Sequence, residues 1–261
     1  MDIQKAANAL LKAEITKQPI EPFTSSAEEI SADDAYLIQL EQIRQKVEKG
    51  AVIVGKKIGL TSKVMQEMFN VNEPDYGHIL DNMVYKNGET VLLDSFLQPR
   101  VEFEIAFVLK KDLTGPNVTV DEVIDAVDYI VPAIEIIDSR IKDWKFKYED
   151  TVADNGSSGG AIVGGKPIKL SDVDLPAIRM NVYRNGELMD TATAEAVMGN
   201  PLHAVAWLAN ALSRYDISLH REEIILSGAL SKAVPIQDGD TFIAEFDHIG
   251  AVSATFKEGG Q

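Results

Sequence analysis

The run Pro99-Arg100-Val101-Glu102-Phe103-Glu104-Ile105-Ala106-Phe107-Val108-Leu109 decides how the rest of the chain is read. Its aromatic and β-branched content and its alternation are those of a β-strand. Side chains alternate faces along a strand, so Val101, Phe103, Ile105, Phe107 and Leu109 make one apolar stripe that should face a core. Glu102 and Glu104 lie together on the other face, followed by Ala106 and Val108. Two strand rises separate their Cα atoms by roughly 6–7 Å, close enough for both carboxylates to reach one ion. Taken alone, the pair reads as the solvated face of an antiparallel strand, where glutamates are ordinary. If that face is covered, each carboxylate raises the pKa of the other unless a cation neutralises them.

A second run shifts the balance. Val131-Pro132-Ala133-Ile134-Glu135-Ile136-Ile137-Asp138 is also strand-like, and Glu135 has no positive neighbour within it. A glutamate is almost never fully buried without a partner. Three carboxylates on two apolar strands suit a hard, oxygen-seeking cation such as Mg²⁺ or Mn²⁺, which keeps positions open for water or an anionic substrate. The spacing is less specific than a cysteine-pair zinc motif.

Composition narrows the classes. The chain has 261 residues, enough for a substantial core, with 45% hydrophobic and 25% charged residues, as in ordinary globular proteins. No apolar run approaches the eighteen or so residues of a membrane span. Met1-Asp2-Ile3-Gln4-Lys5 lacks the basic start and apolar stretch of a secretion signal. Cysteine is absent, which excludes disulfides, thiolate catalysis and zinc–cysteine sites. These features predict a cytoplasmic protein. A net charge of −16, from 25 basic and 41 acidic residues, disfavours nucleic acid as a partner. An acidic protein that handles an anionic substrate needs a local cation, and a bound metal would supply one.

Residues 2–17 read as a helix with Ile3, Ala6, Ala7, Leu10, Leu11 and Ile15 on one face. Ser31 caps a second helix that carries Tyr36, Leu37, Leu40 and Ile43 inward and ends at Gly50. Residues 1–50 are therefore expected to form a helical cover without independence, and 51–261 the catalytic domain. Ala51 to Leu60 is a strand broken by glycines, and Thr61 or Ser62 caps a short helix through Met65 and Met68. Lys57 shares its face with Ile53, Gly55 and Gly59, where missing side chains leave room, and Lys56 points the other way. Spacing alone makes either lysine a solvated strand end. Glu73-Pro74-Asp75-Tyr76-Gly77 is a turn in which Asp75 can cap the backbone.

Asn87-Gly88 and Asn185-Gly186 predict two hairpins, the first spanning Val84 to Val91. A short helix is expected from Asp121 to Val127. The polar segment from Ser139 to Asp150 carries Trp144, Phe146 and Tyr148 in alternation. Thr151 to Gly160 reads as a small-residue loop able to present N–H groups and hydroxyls to an anion, or as a tight crossing. Pro201 to Leu212 is an amphipathic helix bearing Val205, Trp207 and Leu208, followed by strands at Glu223–Gly228 and Thr241–Phe246. Gly160 to Lys166 imitates part of a phosphate loop, but Pro167 occupies the Ser/Thr position. His78, His203, His220 and His248 show no paired-ligand spacing, and Ser227 lacks a nucleophile-elbow frame.

Several segments together resemble the 2-keto-4-pentenoate hydratases (2-hydroxypenta-2,4-dienoate hydratases) of aromatic meta-cleavage catabolism, and the related 4-oxalocrotonate decarboxylases. They are Gly55-Lys56-Lys57-Ile58-Gly59-Leu60-Thr61-Ser62, Glu73-Pro74-Asp75-Tyr76-Gly77, Gln98 to Glu104, Glu135 to Arg140, Asp150 to Asn155 and Ile225 to Leu230. The resemblance runs over nearly the whole chain. It implies an α+β, fumarylacetoacetase-like fold: a rolled mixed β-structure with outer helices and an N-terminal helical region. It also implies Mg²⁺ or Mn²⁺ held by Glu102, Glu104 and Glu135, with Lys57 and Asp75 as catalytic residues and Ser158 near a small-molecule 2-oxo or 2-hydroxydienoate substrate. A homo-oligomer and a complex with the sister enzyme are further expectations. Glu73-Pro74-Asp75-Tyr76-Gly77 and Ser227-Gly228-Ala229-Leu230 resemble the hydratases, whereas the doubled Ser157-Ser158 leans towards the decarboxylases, which act on 2-oxo-3-hexenedioate. The expected activity is hydration, with decarboxylation as the alternative.

Overall fold

A computed structural model describes residues 1–26 and 29–259. The chain opens with helix α1 (Ile3–Thr16) and helix α2 (Ala32–Glu48). Strand β1 (Ile53–Gly59), helix α3 (Lys63–Phe69), β2 (Asp75–Leu80), β3 (Val84–Lys86) and β4 (Thr90–Leu92) follow. The long strands β5 (Arg100–Leu109) and β6 (Val127–Ile137) flank helix α4 (Val120–Ala126). Helix α5 (Tyr148–Ala153) then leads into β7 (Ser158–Val163), β8 (Arg179–Arg184) and β9 (Glu187–Thr193). Helix α6 (Pro201–Leu212), β10 (Ile224–Leu226), β11 (Val234–Pro235), β12 (Thr241–Phe246) and β13 (Gly250–Lys257) complete the order.

The strands form two sheets. A mixed, curled sheet has the order β2-β1-β10-β5-β6-β7-β3, with β11 also on β5, and a smaller sheet has the order β4-β13-β12-β8-β9. The apolar stripe of β5 faces the main core as its alternation requires: Val101, Phe103, Ile105 and Phe107 are fully buried. Phe103 meets Phe242 of the smaller sheet at 5.9 Å between ring centroids. The opposite face of the large sheet carries a second apolar cluster of Ile79, Ala106, Val131, Ala133, Ala161 and Leu226. Covering both faces buries Glu104 of β5 and Glu135 of β6 fully and leaves Glu102 partly exposed.

Several sequence expectations are corrected. The hairpin expected at Asn87-Gly88 does not form, because β3 pairs with β7 and β4 pairs with β13; the turn hands the chain from one sheet to the other. The hairpin at Asn185-Gly186 does form, between β8 and β9. The small-residue loop expected from Thr151 is divided among the end of α5, a single 3₁₀ turn (Asn155–Ser157) and the start of β7. Ser62, not Thr61, caps α3 by accepting from Met65 N–H, and the Met68 side chain lies outside the described residues. Asp75 begins a strand and is not a turn residue. Ile15 is 75% exposed and Leu37 45% exposed, so neither joins the inward face assigned to it.

The inward face of α2 is instead partly polar. Ser31 and Asp34 form a capping box at its start. Gln39 is fully buried and donates from Nε2 to the carbonyls of Tyr76 (2.9 Å) and Val152 (2.8 Å). Gln42 Nε2 donates to Ala153 O at 2.7 Å. A polar residue that satisfies buried carbonyls escapes an apolar periodicity count, which is why the stripe was misplaced. Gln39→Leu fills similar volume but orphans two buried carbonyls, and is expected to lower the unfolding free energy by about 2–4 kcal/mol, read from urea midpoints.

Gln39 Oε1 also lies 3.2 Å from Nδ1 of the buried His78. Burial, with Lys56 adding to it, pushes the His78 imidazole down to about 3 from an ordinary 6.5. The folded ring stays neutral while the unfolded ring takes a proton near 6.5, so its stabilisation is present above that pH and is lost as pH falls towards 3. His78→Gln should therefore show a shallower loss of unfolding free energy between pH 6.5 and 4 than the parent chain.

Candidate metal centre

Antiparallel pairing of β5 with β6 sets Glu102 directly across from Glu135 and Glu104 across from Ala133. Opposed residues on such a pair have Cβ atoms about 5 Å apart, so the register gathers the carboxylates. One carboxylate oxygen from each of Glu102, Glu104 and Glu135 lies within 4.8 Å of the others. Glu104 and Glu135 are fully buried, whereas Glu102 is partly exposed. The centre therefore opens at the Glu102 end of β5.

Lys57 is drawn in from β1, with Nζ 3.6 Å from Glu135 Oε1. Asp75 reaches the same place from β2, whose pairing sets it opposite Gly59. A Cβ at Gly59 would stand 2.1 Å from Asp75 Oδ1 and 3.1 Å from Lys57 Nζ, so only glycine leaves room for this pair. On the far side, Gly228 N–H donates to Glu104 Oε2 at 2.7 Å. Gly228 has φ +111° and sits against the Thr61 side chain, fixing the turn that aims this donor.

The electrostatics are those of a site short of positive charge. Burial, then Glu135 and Glu102, raise the Glu104 carboxyl well above its usual range. Burial pushes Glu135 up to about 8, against the pull of Lys57. Burial likewise raises Glu102 and Asp75, with Lys57 opposing in both. Glu104 Oε1 and both Glu135 oxygens are buried without a hydrogen-bond partner. One lysine and one backbone N–H leave three carboxylates under-compensated, and the all-oxygen donor set fits a hard divalent cation.

Both lysines correct the solvated reading. Lys56 is as buried as Lys57, and its Nζ donates to both oxygens of Glu223 at 2.6 and 2.7 Å. This pair lies on the opposite side of β1 and ties it to the residue before β10. Ser158 begins β7 opposite Ile137, two residues along β6 from Glu135. Its Oγ is buried without a partner, and its carbonyl accepts from Arg140 Nη1 at 2.9 Å. Ser158 lines a separate cleft of ≈ 620 Å³ with Tyr85, Phe96, Asp138 and Arg140; none of the three glutamates lines it. The structure thus brings Glu102, Glu104, Glu135, Lys57 and Asp75 together, with Ser158 on the neighbouring strand two residues after Gly156, whose position lies against Lys57.

Sequence reasoning missed the supports. Asp138 accepts from Leu97 N–H and Gln98 N–H and so holds the start of β5. Buried Arg140 binds the Asp154 carboxylate and the carbonyls of Asp138 and Ser158. The signal for Gly59 was present in the glycine face noted beside Lys57; for Glu223 there was none, since its partner is remote in sequence.

The model of the fumarylacetoacetate (FAA) hydrolase C-terminal family matches residues 55–257. The chain is 41% identical to 2-oxo-hept-4-ene-1,7-dioate hydratase of Escherichia coli, over 96% of each chain. It is 42% identical to 2-keto-4-pentenoate hydratase of Paraburkholderia xenovorans (strain LB400), covering 97% of this chain and 94% of the relative. Among solved structures, 4-oxalocrotonate decarboxylase of Pseudomonas putida G7, complexed with magnesium and adipate, superposes with a TM-score of 0.95 at 35% identity over 97% of both chains. The chain belongs to the fumarylacetoacetate hydrolase family, in the group that holds these hydratases and this decarboxylase. The α+β fold expected from the sequence is the fold found.

Gly59→Ala tests the lysine–aspartate geometry. The new methyl must displace the Asp75 carboxylate, and kcat is expected to fall about 100-fold in steady-state assays while bound metal is retained.

Proposed function

We propose that this chain is a metal-dependent hydratase that adds water to 2-hydroxypenta-2,4-dienoate to give 4-hydroxy-2-oxopentanoate. The observation that carries the reading is the buried trio of under-compensated carboxylates with Lys57 and Asp75 against it. The similarity to the pentenoate hydratase supports it. Glu102, Glu104 and Glu135 would hold Mg²⁺ or Mn²⁺, which would supply positive charge to an anionic 2-oxo acid and polarise its carbonyl.

The chain's own residues then manage protons. The dienol gives up its hydroxyl proton and gains one at C5, forming an α,β-unsaturated ketone. Water delivers its hydroxyl to C4 and a proton to C3. Lys57 and Asp75 are adjacent, buried and of opposite charge type, and together they carry these transfers. Burial of Glu104 and Glu135 on apolar strands excludes bulk water from the inner side of the centre. Gly228 N–H keeps Glu104 Oε2 engaged and leaves Oε1 for the ion.

Residues 1–50 act in this reading as a cover docked through Gln39 and Gln42, with 51–261 as the catalytic unit. No helix among the described residues is long and apolar enough to cross a membrane. We place the enzyme in the cytoplasm as a homo-oligomer able to associate with its sister enzyme. Decarboxylation of 2-oxo-3-hexenedioate is the second reading, favoured by the decarboxylase superposition. Purified protein given both substrates should form the hydroxyketone and release no CO₂.

Glu104→Gln keeps an oxygen for Gly228 N–H but removes the charge. It should retain the fold by circular dichroism and lose metal-dependent turnover by at least about 100-fold, more than loss of an outer support. Full activity after exhaustive chelation would contradict the proposal.

A further inference from the structure

Arg100 begins β5 and lies on the same face as Glu102 and Glu104, one strand repeat further towards the open end of the centre. The charges of Arg100 and Glu102 act on each other. The side chain is partly buried, yet among the described residues its guanidinium has no ion pair and no hydrogen bond. Its contact is a stack: Cζ lies 4.3 Å from the centroid of the Trp144 ring.

The platform under it is built and strained. Asp143 and Trp144 adopt φ +57° and +56°, a left-handed backbone that a bulky residue rarely takes. Trp144 Nε1 donates to Gln98 O at 3.0 Å, pinning the indole to the residues that lead into β5. Its ring meets Phe146 at 5.9 Å, and Phe146 stacks on Phe69 at 5.7 Å. Phe69 closes α3, the helix that follows β1 and its Lys57. One aromatic row thus joins the mouth of the centre to the segment carrying the lysine.

A guanidinium held over an indole by its Cζ, with no hydrogen bond or ion pair among the described residues, keeps its N–H donors open and has already lost much of its rotamer freedom. That is the geometry for bidentate binding of a carboxylate. The chain carries a net charge of −16 and three glutamates at this centre, so an anionic substrate needs a cation at the entrance.

We propose that Arg100, held against Trp144, is a subsite for a substrate carboxylate at the mouth of the three-glutamate centre. It rests on the hydratase reading, and the carboxylate is either C1 of the 2-oxo acid or the far one of a longer dienedioate. Arg100→Gln, Arg100→Lys and Trp144→Leu are to be compared with the parent at saturating Mg²⁺. The assays are hydration of 2-hydroxypenta-2,4-dienoate and of 2-oxo-hept-4-ene-1,7-dioate, and calorimetry with two ligands that are not turned over, 2-oxopentanoate and adipate. Arg100→Gln should raise KM and ligand Kd at least tenfold with kcat changed far less, Arg100→Lys should recover part of the loss, and Trp144→Leu should show a smaller loss. Weakening for all four compounds assigns C1, and weakening confined to the dicarboxylates assigns the far carboxylate. Unchanged KM and Kd in Arg100→Gln would overturn the subsite while leaving hydration intact. Arg100-dependent binding of the acids by a parent chain that hydrates neither dienoate would sink the hydratase reading and keep the subsite. Trp144→Leu preserves the charge, so the comparison survives if Arg100→Gln does not fold.

Discussion

Three carboxylates held together, two of them fully buried, are the constraint on which this structure depends. The β5–β6 register sets Glu102 across from Glu135, and like charges so opposed destabilise a sheet. Burial multiplies the effect, because an uncompensated charge in a low-dielectric interior is far more costly than one at the surface. The described residues supply Lys57 and the Gly228 N–H, and the raised carboxyls of Glu104 and Glu135 show that this is too little. A sheet that keeps such a cluster is arranged for a ligand that brings positive charge. The rigid surroundings then serve to hold the carboxylates together before that ligand arrives.

Adjacent lysines on β1 divide the work between the two sides of the sheet. Lys57 faces the carboxylates, and Lys56, one residue earlier, is buried on the other side against Glu223. β10 is only three residues long, so the parallel pairing of β1 with it offers few hydrogen bonds to set the register. The Lys56–Glu223 pair adds a directional clamp at that joint. Its consequence reaches the centre from two sides, since β1 presents Lys57 and β10 runs on into Gly228, the donor to Glu104. A buried pair of this kind adds little net stability over apolar residues of equal volume; its value lies in fixing one alignment.

Much of this was legible in the sequence, and the gaps share a cause. The stripe of β5, the strand at Glu135, the capped helices and α6 follow from periodicity and capping chemistry, which are local. The glycine face beside Lys57 was legible as room beside that lysine, though spacing alone made the lysine a solvated strand end. What failed was non-local. Asn87-Gly88 makes its turn, but which strands pair afterwards depends on sheets assembled from distant segments. Gln39 and Gln42 give no signal in the sequence because the carbonyls of Tyr76 and Ala153 that they satisfy belong to residues more than thirty positions away. Lys56 and Lys57 read as solvated because their acidic partners, Glu223 and Glu135, are remote in sequence. Ser158 follows from the family resemblance alone, because a lone serine in a small-residue turn carries no local signal of its partners.

The fold by itself does not choose between hydration and decarboxylation, since relatives of both kinds share it, and either reading uses the three glutamates as a cation site. The choice must lie in proton handling beside them. Hydration needs a group that takes a proton from water near C4, within a site otherwise closed to solvent. In the hydratase reading Asp75 is suited to share that role with Lys57: it is buried, raised above the ordinary aspartate range by burial, and kept next to Lys57 by the absence of a side chain at Gly59. A decarboxylation, in which the electrons come from a breaking C–C bond, has no use for such a base. The Lys57–Asp75–Gly59 arrangement is therefore the part of the centre on which the hydratase reading rests.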